Sequence, residues 1–197
     1  MSLLLLALGC VNPSNPDEEN EEELITTVIL EATDASGGVI SATWEDLESD
    51  GNPTVDDLIL MDGVDYTLSV RFLNNLEDPA EEITTEVQEE GDHHQLFFTG
   101  NAVEGAATGE NPDAVITQEY ADADENGLPI GLENNISAVM EGSETLMVTL
   151  QHLPDQDGVA VKVAGLEDDV AAGSLSDLPG SSDVQVEFTV EVASAPQ

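Results

Sequence analysis

From residue 24 onward, apolar and polar residues alternate with a period of two over much of the chain. In residues 66–72 and 184–192 every second side chain is apolar, and the side chains between them are polar. This alternation predicts β-strands that each bury one face. Strands are predicted at residues 24–32, 38–44, 56–60, 66–72, 94–99, 114–121, 130–140, 145–150 and 184–192.

One segment departs from this alternation and favours a helix. Asp78 can cap a helix whose first residue is Pro79, and Ile83 and Val87 lie four residues apart among glutamates. An aspartate cap, a proline at the first position and an apolar spacing of four are typical of a helix start. A short surface helix is therefore predicted over residues 79–90.

Between the last two strands, residues 155–183 are weakly patterned and rich in Gly, Asp and Ser. Loops are expected there, with one short strand near residues 159–163. Many short strands with one helix predict a mainly β fold, an immunoglobulin-like antiparallel β-sandwich with one short helix. We expect residues 24–197 to form this single domain.

The chain opens with an apolar run that ends on its only cysteine, Cys10. The run resembles the end of a bacterial lipoprotein signal, which is cut before a cysteine whose thiol then carries lipid. The resemblance implies that residues 1–10 are a truncated signal and that Cys10 is lipidated, although the basic residues that normally precede such a run are not present. The alternative is an ordinary buried free cysteine.

Residues 11–23 are rich in Asn, Pro and then Glu. Such a stretch buries little apolar surface and its charges repel one another, so an extended acidic tether is predicted. A tether behind a lipidated cysteine predicts an anchored protein of the cell envelope, in the outer membrane, because several acyl chains together give stable anchoring.

The charge of the chain is extreme: 43 Asp and Glu face two Lys and Arg, for a formal net charge of −41. Binding to nucleic acid or to anionic headgroups is excluded because both need basic side chains. The Debye length falls from about 30 Å at 0.01 M salt to about 3 Å at 1 M, so concentrated salt relieves the repulsion. A salt-adapted, halophilic protein is predicted; the alternatives are a disordered acidic chain, a nucleic-acid mimic and a cation store.

One loop matches the calcium-binding EF-hand template. Asp122, Asp124, Asn126, Gly127 and Glu133 occupy positions 1, 3, 5, 6 and 12, where oxygen ligands and a glycine turn surround calcium. A proline at position 8 and flanking strands depart from a true EF-hand. The loop therefore predicts a calcium site, and the alternative is a turn that is rich in Asp, Asn and Gly for conformational reasons.

The three histidines are His93, His94 and His152. Adjacent residues of a strand face opposite sides, so His93 and His94 cannot both serve one site without a bulge. One of the two, with His152 and a carboxylate, predicts a zinc or copper site. The alternative is that they are ordinary polar strand residues.

Six stretches of the chain carry a further resemblance: LITTV (24–28), DYTLSVRFLN (65–74), DPAEEIT (78–84), HQLFF (94–98), NGLPIGL (126–132) and VTLQH (148–152). Together they resemble a family of small bacterial envelope lipoproteins, often labelled type 1 periplasmic binding fold superfamily proteins. This family resemblance favours His94 for the zinc or copper site, because His94 and His152 both lie in the stretches that carry it. The resemblance implies a protein that accompanies a TonB-dependent receptor. The family label implies alternating helices and parallel strands, which disagrees with the strand periodicity, and we rely on the periodicity.

Motifs for hydrolysis, nucleotide binding and zinc-dependent proteolysis are not present in the sequence. The sequence therefore predicts a non-catalytic, lipid-anchored envelope protein that binds a ligand, a metal ion or an outer-membrane receptor. The alternative is a structural or adhesive surface module stabilised by calcium.

Overall fold

Two β-sheets packed face to face make up the fold that the computed structural model describes for residues 23–48 and 51–194. The predicted mainly β sandwich is confirmed. Cys10 lies outside the described residues, as does the predicted tether except for Glu23.

The larger sheet, sheet A, has the strand order β3-β2-β1-β5-β10-β9-β8 within the described residues, with β6 paired beside β5. Its strands are β1 (Thr27–Asp34), β2 (Val39–Glu45), β3 (Thr54–Val55), β5 (Asp65–Asn74), β6 (Glu81–Glu82), β8 (Val103–Gly105), β9 (Ile116–Tyr120) and β10 (Glu133–Ala138).

The smaller sheet, sheet B, has the order β4-β12-β11-β7 in the same part of the chain. Its strands are β4 (Leu58–Met61), β7 (His94–Thr99), β11 (Gly142–His152) and β12 (Ser181–Ala193). Two pairings differ from the expected antiparallel arrangement, since β4 runs parallel to β12 and β8 runs parallel to β9. Neither pair is joined by a tight hairpin, so hairpin geometry does not set the direction of these short edge strands.

The core lies between the sheets and follows the predicted alternation. In β5 every second side chain is buried, and β12 repeats the pattern along most of its length. Large side chains from both sheets meet there with almost no exposure, among them Leu30, Phe72, Phe98 and Phe188. Their removal from water is the main source of stability, at about 25 cal/mol per Å² of apolar surface.

The predicted helix is present but shorter than expected, as α1 (Ile83–Glu89). The predicted Asp78 cap is wrong: Glu82 precedes the first turn, because residues 81–82 pair with β5 as strand β6. Ile83 and Val87 are buried as the spacing predicted.

A second helix, α2 (Leu166–Ala172), lies in the segment 155–183, where loops and one short strand were expected. The strand predicted near 159–163 is wrong: Val159 forms only an isolated bridge with Gln156, and residues 160–163 form no strand. Leu166 and Val170 form a small apolar cluster with Phe97 and Leu153. This packing stabilises a seven-residue helix that is too short to form from intrinsic propensity. No helix of residues 23–48 and 51–194 has the length and apolar character needed to cross a bilayer.

Candidate metal centre

Four side chains with metal-binding atoms converge at one end of sheet B. Glu23, His94, His152 and Asp183 each offer one ligand atom, and these atoms lie within 4.8 Å of one another. They form the one such group of His, Cys, Asp or Glu in residues 23–48 and 51–194. The side chains are between 0% and 5% exposed, so the cluster is buried.

The two histidines are brought together by strand pairing. His94 is the first residue of β7 and His152 is the last residue of β11, and the two are direct partners in the antiparallel ladder. Their rings stack with centroids 4.7 Å apart and planes inclined by 14°. Partner residues in a ladder point to the same face, which explains why these imidazoles share one site.

The third group, Asp183, reaches the cluster through an irregularity in β12. Leu150 pairs with Val184 and Gln151 with Ser182, so the register skips Asp183. Such bulges redirect side chains relative to regular alternation. The Asp183 carboxylate lies 3.7 Å from His94 Nε2 and 3.9 Å from His152 Nδ1, and it is fully buried.

Gly180, immediately before β12, holds this end of the sheet in place. Its φ is +83°, and a Cβ on this residue would overlap the carbonyl oxygen of His152. Only glycine tolerates both the left-handed backbone and the close approach. Gly180 therefore fixes the spacing between β12 and the last residue of β11.

We expect Gly180→Ala to lower the free energy of unfolding by about 3 kcal/mol, because it adds a backbone clash to the strain of the left-handed conformation. The matched control is Gly158→Ala, since Gly158 has a φ of +74° but open space around its missing Cβ. Denaturant unfolding of both variants measures the difference. Equal losses in the two variants would contradict a packing role for Gly180.

The fourth group, Glu23, comes from the chain just before β1. Its Oε1 lies 3.1 Å from His94 Nε2, and its side chain is only 5% exposed. Three ligand atoms therefore come from sheet B, and the fourth comes from the segment that leads into sheet A.

The hydrogen bonding of His94 determines which of its nitrogens faces the cluster as a ligand. Its Nδ1 lies 3.1 Å from the Glu90 carbonyl oxygen. A carbonyl oxygen can only accept, so Nδ1 carries the proton. In the neutral ring, Nε2 then presents a lone pair toward the carboxylates of Glu23 and Asp183. Because these oxygens are also acceptors, a proton or a metal cation must lie among the three groups.

The surrounding charges favour a cation here. Burial alone would lower the pKa of His94, but Glu23, the Glu90 carbonyl and Asp183 outweigh it and raise that pKa. Burial alone would raise the pKa of Glu23, but His94 outweighs it and lowers that pKa. Burial, together with the nearby Glu23 charge, raises the pKa of Glu86 and Glu90 on and just after α1.

The geometry suits a small divalent transition-metal ion. Zinc with bonds of about 2.05 Å to four tetrahedral ligands places those ligands about 3.4 Å apart. Three pairs of potential ligand atoms lie 3.1, 3.7 and 3.9 Å apart, near this value, and one ligand atom from each of the four residues lies within 4.8 Å of the other three. Two carboxylates and two neutral imidazoles carry two negative charges, which one divalent ion neutralises. A backbone carbonyl behind a ligating histidine is the usual outer partner in such sites.

The predicted calcium loop has a different internal arrangement. The Asp122 carboxylate accepts the backbone N–H groups of Gly131, Leu132 and Glu133, at 2.7 to 3.1 Å. These bonds close the loop against the start of β10, so Asp122 serves the turn that was the alternative interpretation. No contact of the described residues tests calcium itself, and the calcium site stays a prediction.

Asp124 completes this turn and also forms a buried ion pair. Its Oδ1 accepts the N–H groups of Asn126 and Leu128, both at 2.9 Å. Its Oδ2 lies 2.9 Å from Nζ of Lys162, which also donates to the Gly91 carbonyl at 2.6 Å. Burial lowers the pKa of Lys162, and Asp124 partly offsets this.

We expect Asp124→Asn to cost about 3 kcal/mol of unfolding free energy at neutral pH, because it leaves the Lys162 ammonium buried without its counter-charge. Burial alone would raise the pKa of Asp124, but Lys162 and the loop amides lower it below 3.8. The stabilisation is therefore full above pH 3.8 and is lost as the pH falls through the lower folded-state pKa.

Denaturant unfolding in molar salt at pH 7 and at about pH 2.5 tests this prediction. The difference between the wild type and Asp124→Asn should be largest at neutral pH and should become smaller at the acidic pH. The double variant Asp124→Asn/Lys162→Met is the control and should recover part of the loss. Identical unfolding curves for wild type and Asp124→Asn at pH 7 would contradict the prediction.

Two of the four residues in the candidate metal cluster were predicted from the sequence. His94 and His152 were predicted to share a site with a carboxylate, and the structure brings them together. His93 lies outside this cluster, with Nε2 3.9 Å from an oxygen of Asp155. Glu23 and Asp183 were missed, since they fall in the predicted tether and in the weakly patterned segment. The metal assignment itself stays a prediction.

Comparisons with known proteins found no match: no family model matches the chain, and no curated protein and no solved structure is similar to it. The functional argument therefore depends on the geometry of the cluster.

Proposed function

We propose that the chain is a non-catalytic, salt-adapted envelope protein that binds one divalent transition-metal ion, zinc or copper, through Glu23, His94, His152 and Asp183. One observation carries the proposal: His94 Nε2 lies 3.1 Å and 3.7 Å from the buried carboxylates of Glu23 and Asp183, while its Nδ1 lies against a carbonyl oxygen. A bound metal ion satisfies all of these groups at once.

The type of ligand favours zinc or copper over calcium. Imidazole nitrogen is a good ligand for zinc and copper, whereas calcium takes oxygen ligands in larger numbers. Four protein ligands also complete a tetrahedral shell. Closed shells of this kind are typical of structural and binding sites, while catalytic zinc keeps a position open for water or substrate.

The proposed cellular location is supported by the sequence alone. Lipid on Cys10 would anchor the protein in the outer membrane, and the excess of acidic residues suits a medium of high salt. Association with a TonB-dependent receptor is implied by the family resemblance. Each of these three properties is part of the proposal.

Titration calorimetry on chain stripped with a chelator tests the metal assignment. The solvent should contain about 1 M sodium sulfate, which screens the charge without adding chloride that competes for zinc. We expect one zinc ion per chain and no heat from calcium at this cluster. A thermal shift should accompany binding, of about 5–10 °C when free zinc is 100 times its Kd. Absence of zinc and copper binding would overturn the proposal.

A further inference from the structure

The entry segment, residues 23–26, leads directly into strand β1. Thr26 fixes the end of this segment to sheet A: its N–H donates to the Leu73 carbonyl at 3.0 Å, and its hydroxyl accepts from Asn75 N–H at 2.8 Å. Ahead of Thr26, Leu24 is exposed and Ile25 is buried in the core.

Glu23 attaches the other end of the entry segment to sheet B. Its carboxylate is beside His94, the first residue of β7, and its buried Oε2 has no hydrogen-bond partner among residues 23–48 and 51–194. Glu23 is thus oriented toward the cluster by its side-chain contact with His94 and not by backbone pairing between strands. The four residues of the entry segment therefore span from sheet A to sheet B.

We propose that the metal ion acts as a latch that fastens the entry segment to sheet B. This inference rests on the proposed metal site and adds a specific consequence to it. Since three ligands belong to sheet B and Glu23 precedes sheet A, the ion cross-links the two sheets. It also holds Glu23, the first described residue, against His94, so metal occupancy controls how firmly the entry segment is held.

Hydrogen exchange of the full chain, followed by mass spectrometry, tests the latch. Saturating zinc should slow exchange in peptides that cover residues 24–28 by at least about tenfold, because opening of the entry segment must break the Glu23 bond to the ion. Peptides from β9, three strands away from β1 toward the opposite edge of sheet A, serve as an internal reference and should change little.

Two variants separate the latch from metal binding in general. Glu23→Gln removes the latch ligand, and Asp183→Asn removes a ligand within sheet B. With zinc raised to saturation for each, Asp183→Asn should retain the protection of residues 24–28 and Glu23→Gln should lose it. Glu23→Ala provides a second form of the latch variant should the glutamine variant fold poorly.

The outcomes distinguish the two proposals. Zinc binding with the expected variant pattern supports the latch. Zinc binding that leaves exchange of residues 24–28 unchanged, or that protects them equally in Glu23→Gln, overturns the latch and leaves the metal site standing. Failure of the wild-type chain to bind zinc or copper overturns both.

Discussion

Replacing His94 with Gln is expected to weaken zinc binding by at least about 100-fold. Changes to outer groups of zinc sites already cost about 10- to 100-fold in affinity, and His94 would be a direct ligand. The substitution removes the nitrogen that faces Glu23 and Asp183, and leaves those carboxylates without the imidazole between them. Competition with a chromophoric chelator measures the affinity of each variant.

The adjacent histidine provides a matched control. His93→Gln makes the same chemical change one residue away, at a side chain that lies beside Asp155 instead of in the cluster. Its zinc affinity should stay within about twofold of wild type, while His152→Gln should resemble His94→Gln. Circular dichroism checks that each variant is folded. Equal affinities of the His93 and His94 variants would contradict the assignment of His94.

The second large effect that we expect is a rise in melting temperature with salt concentration. With a net charge of −41, the folded chain should gain at least about 10 °C in melting temperature between 0.1 M and 2 M sodium chloride. Among the described residues, only Arg71 with Glu82 and Lys162 with Asp124 form ion pairs that involve Arg or Lys. Internal pairing is thus too sparse to offset the repulsion.

Thermal unfolding in a salt series at neutral pH measures this gain. Sucrose at matched osmolality is the control, because it strengthens burial by exclusion from the surface without screening charge. A gain that appears in salt and is much smaller in sucrose supports electrostatic relief. A melting temperature that does not change with salt would contradict salt adaptation.

Strand positions could be predicted from the sequence because one face of each long strand is buried. Residues 66–72 and 184–192 were predicted from alternation alone, and β5 and β12 contain them. The short strand β6 was missed because two glutamates carry no alternation. The helix α2 was missed because its stability comes from contacts with Phe97 and Leu153, which only the folded chain supplies.

The residues of the metal cluster were likewise only partly predictable from the sequence. His152 and one of the adjacent histidines could be assigned to one site from the sequence because histidine is rare in this chain, and the family resemblance favoured His94 over His93. Glu23 and Asp183 could not be recognised among 43 acidic residues, because with so many carboxylates in the chain no single one stands out as a ligand. Asp183 is also brought into place by a register shift between β11 and β12, which depends on how two distant strands pair.

Asp122 and Asp124 illustrate how one set of residues fits two roles. The spacing that matches a calcium loop also suits a turn in which carboxylates accept backbone N–H groups, and the structure contains those hydrogen bonds. Their presence could not be predicted from spacing alone. The buried Lys162 that pairs with Asp124 comes from a segment whose sequence gave no signal of this contact.

X-ray absorption spectroscopy of the zinc-loaded chain tests the central claim most directly. The account predicts a four-coordinate shell, with two imidazole nitrogens at about 2.0–2.1 Å and two carboxylate oxygens at about 2.0–2.2 Å. The imidazole scattering should be reduced in His94→Gln and unchanged in His93→Gln. A shell of oxygens alone, in wild-type chain loaded with one zinc, would contradict a metal centre at Glu23, His94, His152 and Asp183.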